Sequence, residues 1–295
     1  MRHMIDMSDE KKHMPTPDAA GLTASLTGID ASGAEVCLPV VAEKPMTIFL
    51  NQREIVTSMT IGDYPKALAV GFLFNQNMLH HKDEIAAIDY DAEIDVVVVR
   101  THDETNFEDK LKKRIQTSGC AQGTIFGDVM DRFETIHLAQ ETILHTSELI
   151  ALSKAINTAP SLYLTAGAIH GCVLAKGAEP LIYVEDIGRH NAVDKIAGLM
   201  LMEDISAEDK IFYTTGRLTS EMVLKTAMMG VPILVSRSGF TEAGVRLARQ
   251  ANMTLIGRAK GSRFVALSAP ERIIFDNVGE MVDLQDGVSA QRQRG

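Results

Sequence analysis

Cysteine is scarce in this sequence. Only three cysteines occur among 295 residues, Cys37, Cys120 and Cys172, and long stretches of chain separate them. An odd number at such wide spacing argues against a disulfide framework, so we expect reduced thiols. The sequence also has no C-x-x-C pair, which excludes the usual local zinc clip and the simple dithiol redox motif.

Long apolar runs and a surplus of positive charge are absent as well. No run approaches the roughly 18 apolar residues of a membrane-spanning helix, and the N-terminal residues 1–18 are polar and charged. Asp and Glu number 39 against 29 Lys and Arg, which does not support a broad surface for nucleic acid or anionic membrane. We therefore expect a cytoplasmic protein without nucleic-acid or membrane partners. Any anionic ligand would be bound by a small cluster of residues rather than by a broad positive surface.

Several familiar ligand motifs are missing too. The sequence has no P-loop and no G-x-G-x-x-G motif, so ordinary nucleotide hydrolases and dinucleotide dehydrogenases lose support. The string His170-Gly171-Cys172 invites a metal interpretation, but the H-x-E and P-C-x-x-C elements of a zinc deaminase are lacking. We expect no structural or catalytic metal.

The second half of the chain alternates predicted strands and helices with short connections. The segment 163–186 predicts two strands around a turn at Gly177. Further predicted strands cover 211–215, 233–236 and 254–257, and predicted helices cover 191–202, 220–229 and 242–251. This alternation favours an α/β fold with a partly parallel, mixed sheet and flanking helices.

The first half is richer in β-prone segments. Residues 46–61 predict a hairpin, 94–101 a buried strand, and 64–79 an apolar helix with Pro65 in its first turn. Length alone allows one large domain or two smaller ones. We divide the chain into a flexible polar tail (1–35), a β-rich N-terminal subdomain ending in a Cys120 loop (36–120), a main α/β domain (121–278) and a C-terminal tail (279–295).

Cationic residues follow four predicted strands of the second half. They are Arg189, Arg217, Arg237 and the group Arg258, Lys260 and Arg263. Because loops at the carboxyl ends of such strands share one edge of the sheet, we expect these cations to converge there. Neighbouring glycines and hydroxyl residues add backbone and side-chain donors, which together suit a di- or polyphosphate ligand. Any one arginine alone is better explained as a surface group, and only the recurrence favours a site.

The start of the helix after Arg189 carries further polar residues. His190 and Asn191 could position a polar ligand or cap the helix. Asp186 could accept hydrogen bonds from a purine or pterin, or pair with Arg189. Glu221 is equally explained by the positive end of its own helix.

The three cysteines differ in their surroundings. Cys120 lies between glycines and small polar residues in "TSGCAQGT", where an exposed thiol can ionise and attack another sulfur. Cys37 and Cys172 lie in apolar segments, where cysteine is typically a small core residue. Cys120 is therefore the candidate reactive thiol.

Several segments closely resemble the FdhD (NarQ) family of formate dehydrogenase accessory proteins. The resemblance runs in order from about residue 43 to 274 and is strongest in "EDIGRHNAVDK" (185–195). It also covers "GDYPKALAVGFLF" (62–74), "SGCAQG" around Cys120, "TGRLTSEMVLKTAMMGVPILVSRSG" (215–239) and "LIGRAKGSRF" (255–264).

The resemblance implies a fold similar to the cytidine deaminases without their zinc, with residues 121–278 as the cofactor-binding domain. It also implies a homodimeric sulfur carrier that receives sulfur from a cysteine desulfurase as a persulfide on Cys120. The client would be the Mo-bis(molybdopterin guanine dinucleotide) of formate dehydrogenase. Residues carried over as cofactor contacts are Arg258, Ala259, Lys260, Gly261, Ser262 and Arg263, and for the guanosine diphosphate (GDP) portions Arg189, His190, Asn191, Arg217 and Ser236.

The chain departs from the family pattern at two places. Gly123 stands where the second cysteine of a C-x-x-C pair is common, so any sulfur transfer must use a single thiol. Gly239-Phe240 replaces a small residue and proline. The first departure leaves one alternative open, a cofactor chaperone without sulfur transfer. The deaminase-like layout that the resemblance implies leaves another, an enzyme that acts on free nucleotides.

Overall fold

This computed structural model describes residues 12–103, 114–116 and 124–276. The helices within those ranges are α1 (Pro65–Asn75), α2 (Gly127–Phe133), α3 (Thr146–Thr158), α4 (Leu162–Ala166), α5 (Arg189–Met202), α6 (Ser220–Met228) and α7 (Glu242–Gln250). Two 3-10 turns cover Lys82–Glu84 and Pro270–Arg272. None of these helices is long and apolar enough to cross a bilayer.

A mixed six-stranded sheet forms the centre of the second half. Its strands are β10 (His170–Lys176), β11 (Glu179–Asp186), β12 (Ile211–Thr214), β13 (Ile233–Ser236), β14 (Thr254–Lys260) and β15 (Arg263–Ser268). Their order is β11-β10-β12-β13-β14-β15, with β12, β13 and β14 parallel and the other neighbours antiparallel.

The register of this sheet brings several chain segments to one edge. His170, the first residue of β10, pairs with Asp186, and Thr214 pairs with Ser236. The residues His170, Asp186, Thr214 and Ser236 define what we call the strand-end edge. The loops into α5 and α6 and the loop after β13 all leave from this edge, as expected for ligand-binding loops in open α/β sheets.

A second sheet belongs to the first half of the chain. It has the order β4-β3-β6-β5, and its strands are β3 (Lys44–Leu50), β4 (Arg53–Thr60), β5 (Ile85–Asp91) and β6 (Val96–Thr101). One buried apolar cluster runs from Ile48 through Leu73 of α1 to Val193 of α5 and Leu234 of β13. The two sheets therefore share a hydrophobic core.

The contact between α1 and α5 depends on two glycines. A Cβ atom at Gly71 would lie 1.7 Å from the Asp194 carbonyl oxygen, and one at Gly198 would lie 1.9 Å from the Ala67 carbonyl oxygen. The backbones of the two helices thus touch directly, which only glycine permits at these positions. This close packing fixes α5 against the first half of the chain.

The remaining strands of the described residues form three two-stranded sheets. They are β1 (Thr23–Ile29), β2 (Glu35–Val41), β7 (Arg114–Gln116), β8 (Thr124–Phe126), β9 (Leu144–His145) and β16 (Ile273–Ile274). They pair as β1-β2, β7-β8 and β16-β9.

The structure confirms the α/β class, the three predicted helices after residue 190 and the two strands around Gly177. The expected start of the first strand at residue 163 was wrong, because Leu162–Ala166 is the helix α4 and β10 begins at His170. The expected end of a strand at Gly257 was wrong. β14 continues to Lys260 and turns through Gly261 and Ser262 into β15, with Lys260 opposite Arg263. A positive φ of 58° at Gly261 permits this tight turn, so the segment 258–263 is a β-hairpin.

The expected unstructured tail at 1–35 was wrong for its second half. β1 alternates small or apolar residues with hydroxyl residues and pairs along its length with β2. Before it, His13 exchanges backbone hydrogen bonds with Leu181 and Tyr183 beside β11. Residues 1–11 and the tail at 279–295 lie outside the described residues, as does the boundary at 120, so the domain division stays a prediction. The cytidine deaminase-like detail stays a prediction too.

Candidate functional site

Three arginines lie on loops that leave the strand-end edge. Arg189, Arg217 and Arg237 follow β11, β12 and β13, and Ser236 Oγ joins the last two loops by donating to the Gly216 carbonyl. Burial lowers the pKa of His170 at this edge, and the charges of the three arginines lower it further. The structure thus brings together three of the cations that sequence reasoning placed at successive strand ends.

The three arginines are held in different ways. Arg189 is the first residue of α5 and only 8% exposed, and a Cβ atom at Gly216 would lie 2.9 Å from its Cδ. Gly216 therefore makes room for the Arg189 side chain. Arg217 is exposed, whereas Arg237 is half-buried with its Cζ 4.8 Å from the centroid of the Tyr163 ring.

Buried hydroxyl groups brace the loops that carry these arginines. Ser236 Oγ donates to the Gly216 carbonyl at 2.6 Å and accepts from the Ser238 N–H at 2.9 Å. Thr214 Oγ1 accepts from the Gly216 N–H at 3.1 Å. These bonds give Ser236 a role in joining two loops, and its direct contact with a nucleotide stays a prediction.

Asn191 joins α5 to the first half of the chain. Its amide donates to the Met59 carbonyl at 2.7 Å and to Asp186 Oδ1 at 2.9 Å, and it accepts from Ser58 Oγ at 2.9 Å. Both of its N–H groups are therefore used within the protein. A ligand contact by Asn191 stays a prediction, while a bracing role follows from these bonds.

Asp186 is fully buried and accepts hydrogen bonds from protein donors on both oxygens. Lys195 Nζ lies 2.6 Å away, Thr60 Oγ1 donates at 2.5 Å, and the Gly188 N–H donates at 3.0 Å. Lys195 also binds Asp63. These contacts leave no exposed Asp186 oxygen for a purine or pterin, and they identify Asp186 as an anchor of the loop before α5.

A second group of buried ionisable residues lies in the first two turns of α5 and α6. Asp194 binds the Lys225 ammonium at 2.7 Å, and His190 Nε2 lies 3.1 Å from a carboxylate oxygen of Glu221. Burial lowers the pKa of His190 to about 2, and the Lys225 and Arg189 charges add to this. His190 is therefore a neutral imidazole at neutral pH. Glu221 lies in the first turn of α6 as expected, and it also contacts His190.

The segment 258–263 contacts the strand-end edge at its base, which is the residue pair Gly257-Arg258. The Arg258 N–H donates to the Ser238 carbonyl at 2.7 Å, and Arg258 adopts a positive φ of 57°. Ala259 is buried, whereas the side chains of Arg258, Lys260 and Arg263 are exposed. Phe240 packs on this base, because a Cβ atom at Gly257 would lie 2.5 Å from its ring. Phe240 of the Gly239-Phe240 departure therefore packs beside Arg258.

The three cysteine predictions have different outcomes. Cys120 and Gly123 lie outside the described residues, between the paired strands β7 and β8. Cys172 is buried as predicted, and burial raises the pKa of its thiol to about 12. The prediction for Cys37 was wrong: it is exposed, because the two-stranded β1-β2 hairpin leaves both its faces largely uncovered.

Sequence reasoning did not single out Tyr163 and gave His170 no role in anion binding. His170 lies at the edge because β10 begins there, and Tyr163 lies under Arg237 because Glu185 of β11 accepts the backbone N–H of Tyr163. Neither residue belongs to a motif that could have marked it. Within the described ranges, no group of three or more His, Cys, Asp or Glu side chains is arranged to hold a metal ion.

Comparisons with known proteins agree with this architecture. The profile of the FdhD/NarQ family matches residues 41–274. The sulfur carrier protein FdhD of Bacillus subtilis (strain 168) is 31% identical over 235 residues, which cover 79% of this chain and 90% of the relative. The sulfur carrier protein FdhD of Bacillus pumilus (strain SAFR-032) is 32% identical, with 79% and 90% covered.

A solved structure is similar as well. The crystal structure of a formate dehydrogenase accessory protein from Desulfotalea psychrophila superposes with a TM-score of 0.71 at 30% identity. The match covers 85% of this chain and 98% of that protein. Together with the family profile over most of the sequence, these similarities mean that the chain belongs to the FdhD/NarQ family.

Proposed function

We propose that this protein is a sulfur carrier, a persulfide-based sulfurtransferase on which formate dehydrogenase activity depends. The observation that carries the proposal is the set of three arginines, Arg189, Arg217 and Arg237, on the loops that leave the strand-end edge, which suits a ligand with several phosphate groups. The names of the relatives, sulfur carrier protein and formate dehydrogenase accessory protein, support the reaction and the client.

Cys120 is the proposed carrier residue. Its thiolate attacks the terminal sulfur of a persulfide on a cysteine desulfurase, which leaves the desulfurase thiolate and a persulfide on Cys120. The Cys120 persulfide would then deliver its terminal sulfur to the client, Mo-bis(molybdopterin guanine dinucleotide), before the cofactor enters formate dehydrogenase. In this step the Cys120 thiol would be the leaving group, and a reducing thiol would supply the two electrons that convert the persulfide sulfur to sulfide. Cys172 is a poor substitute, because its buried thiol with a pKa of about 12 does not ionise near neutral pH.

The strand-end edge is the proposed binding site for the GDP portions of this client cofactor. Arg189 and Arg217 would bind phosphate oxygens, and neutral His190 would offer a ring nitrogen rather than a charge. Asn191 and Ser236 would act by holding the loops in place. The exposed hairpin from Arg258 to Arg263 would contact the cofactor beyond the edge.

We also propose that the fold is that of the cytidine deaminases without zinc. The side-by-side starts of α5 and α6 at the strand-end edge support this arrangement. His190 and Glu221 meet there, and Lys225 Nζ lies 4.0 Å from the Glu221 carboxylate. An ammonium group in that position disfavours a metal cation, because the two positive charges would repel each other.

A homodimer is the proposed assembly. Leu26 and Leu38 lie opposite each other in the β1-β2 hairpin and are 54% and 57% exposed. Two-stranded hairpins are marginally stable alone, so an apolar partner surface would stabilise this one. The second copy of the chain is the proposed partner.

The carrier role is tested by mass spectrometry after incubation with a desulfurase and cysteine. We expect Cys120 to gain one sulfur that a reductant removes, because a persulfide is a reducible adduct. Cys37→Ala is the matched control, since Cys37 is the exposed thiol among the described residues. A wild-type protein that gains sulfur on Cys37 but not on Cys120 would contradict the proposal.

A cofactor chaperone without sulfur transfer remains the second candidate, since Gly123 removes the usual second thiol. Cys120→Ala separates the two functions in a strain that lacks the native protein. The carrier role predicts loss of formate dehydrogenase activity with unchanged GDP binding. Full restoration of activity by Cys120→Ala would instead establish the chaperone.

A further inference from the structure

Arg237 approaches the strand-end edge from the face of the sheet opposite α5. Val235, two residues before Arg237, packs in the same buried cluster as Tyr183 and Tyr213. Their rings belong to the apolar cluster under α3, whereas α5 packs against the other cluster. Arg189, the first residue of α5, and Arg237, stacked on Tyr163, therefore approach the strand-end edge from opposite faces of the sheet.

Tyr163 gives Arg237 a defined position. The Arg237 Cζ lies 4.8 Å from the centroid of the Tyr163 ring, within the range of a cation–π contact. Such stacking uses the face of the guanidinium group and leaves its N–H donors free in the plane of the group. Those in-plane donors are the ones that bind phosphate oxygens in pairs.

A buried carboxylate fixes the backbone of Tyr163. Glu185, 2% exposed, accepts the Leu162 N–H at 2.7 Å and the Tyr163 N–H at 3.1 Å. The Tyr163 side chain itself is 47% exposed. The ring is thus a partly solvent-facing platform on an anchored turn, which suits it for positioning Arg237 rather than for filling the core.

We propose that Arg237 is a further phosphate ligand of the nucleotide site and that Tyr163 is the residue that positions it. This inference rests on the proposed function, because the phosphate belongs to the GDP portion of the client cofactor. The site then holds phosphate between arginines from both faces of the sheet, Arg189 on one side and Arg237 on the other.

Calorimetric titration of GDP into single variants tests the inference. Arg237→Gln should weaken GDP binding by about tenfold, the factor for losing one charge-assisted contact of typical strength. Tyr163→Leu should weaken binding by about three- to tenfold, whereas Tyr163→Phe should stay within about twofold because it keeps the aromatic face. Arg237→Lys should bind more weakly than wild type, because it keeps the charge but loses the planar fork.

A double variant distinguishes positioning from an independent effect. Tyr163→Leu combined with Arg237→Gln should bind GDP no more weakly than Arg237→Gln alone. Guanosine, which has no phosphate, should bind all variants alike. Equal loss of guanosine and GDP affinity, or additive effects in the double variant, would overturn the positioning role.

The outcome for Arg217→Gln separates this inference from the proposed function. If that variant weakens GDP binding while Tyr163→Leu and Arg237→Gln do not, the nucleotide site stands and the inference about Arg237 fails. If wild-type protein does not bind GDP, the proposed site and the inference both fail. Should Tyr163→Leu unfold, the comparison of Arg237→Lys with Arg237→Gln still tests the phosphate contact.

Discussion

Two neighbouring residues at the start of α5, Arg189 and His190, differ in charge. Arg189 brings positive charge to the strand-end edge, whereas His190 next to it is held neutral by burial and by nearby cations. Asn191 is committed to bonds with Ser58 and Asp186. A ligand at this helix end therefore meets one permanent cation and one neutral ring, on a backbone tied to the first half of the chain.

The neutrality of His190 predicts an acid-sensitive fold. The unfolded chain takes up a proton on this side chain below its ordinary pKa of 6.5, while the folded protein does not until about pH 2. The free energy of unfolding should thus fall as the pH drops below 6.5, with a contribution of up to about 1.4 kcal/mol per pH unit. Urea unfolding at pH 7.5, 6.0 and 5.0 measures this slope.

The variant His190→Gln isolates the contribution. It should be less stable than wild type at pH 7.5, yet lose less stability on acidification, because glutamine does not titrate. His137→Gln is the matched control at an exposed position and should keep the wild-type slope. Identical slopes for wild type and His190→Gln would mean that His190 is not held neutral by the fold.

How much of the site could be predicted differs from residue to residue. The arginines were predictable because parallel strands deliver their loops to a common edge whatever the side-chain details. The structural roles of Asp186 and Ser236 were not predictable. Their partners, Lys195 and Gly216, lie in other segments of the chain, and spacing does not show which segments meet. Spacing alone marks a polar residue near a site but does not show which partner occupies it.

At the scale of elements, the contact of α1 with α5 links the two halves of the chain. Gly71→Ala would place a methyl group 1.7 Å from the Asp194 carbonyl oxygen, so the two helices must separate. We expect the free energy of unfolding to fall by about 1–3 kcal/mol or more, the typical effect of overpacking. Chemical denaturation monitored by circular dichroism measures this change.

Gly239→Ala is a suitable control for Gly71→Ala. Gly239 lies in the loop after β13, its φ is not positive, and nothing lies within 4 Å of an added Cβ atom. Its substitution should change stability by less than about 0.5 kcal/mol, as at other open surface positions. Equal losses for the two variants would show that the helix contact is looser than described.

Elements with a strong local pattern were predictable, and elements defined by pairing were not. The α5, α6 and α7 helices follow from apolar periodicity between predicted strands. The β14-β15 hairpin escaped prediction because its turn, Gly261-Ser262, lies in a segment that reads equally well as a loop. The exposure of Cys37 escaped it for a related reason, since an apolar segment does not reveal whether another layer covers it.

At the scale of the whole molecule, the β1-β2 hairpin stands apart from the shared core. Leu26, Leu38 and Val40 lie on one face of it and are all exposed, whereas Val41 at its base packs towards Leu162. In a monomer this apolar face would be exposed to water, although the chain as a whole carries a net charge of −10.

The proposed dimer therefore predicts that charge on the hairpin face separates the subunits. Leu26→Lys with Leu38→Lys should raise the dimer dissociation constant by more than about tenfold, because four buried ammonium groups would face each other. Ile94→Lys is the control, since Ile94 is 67% exposed in the turn between β5 and β6. Sedimentation equilibrium measures all three proteins. A monomeric wild-type protein, or a hairpin variant that dimerises as strongly as Ile94→Lys, would show that this face serves another purpose.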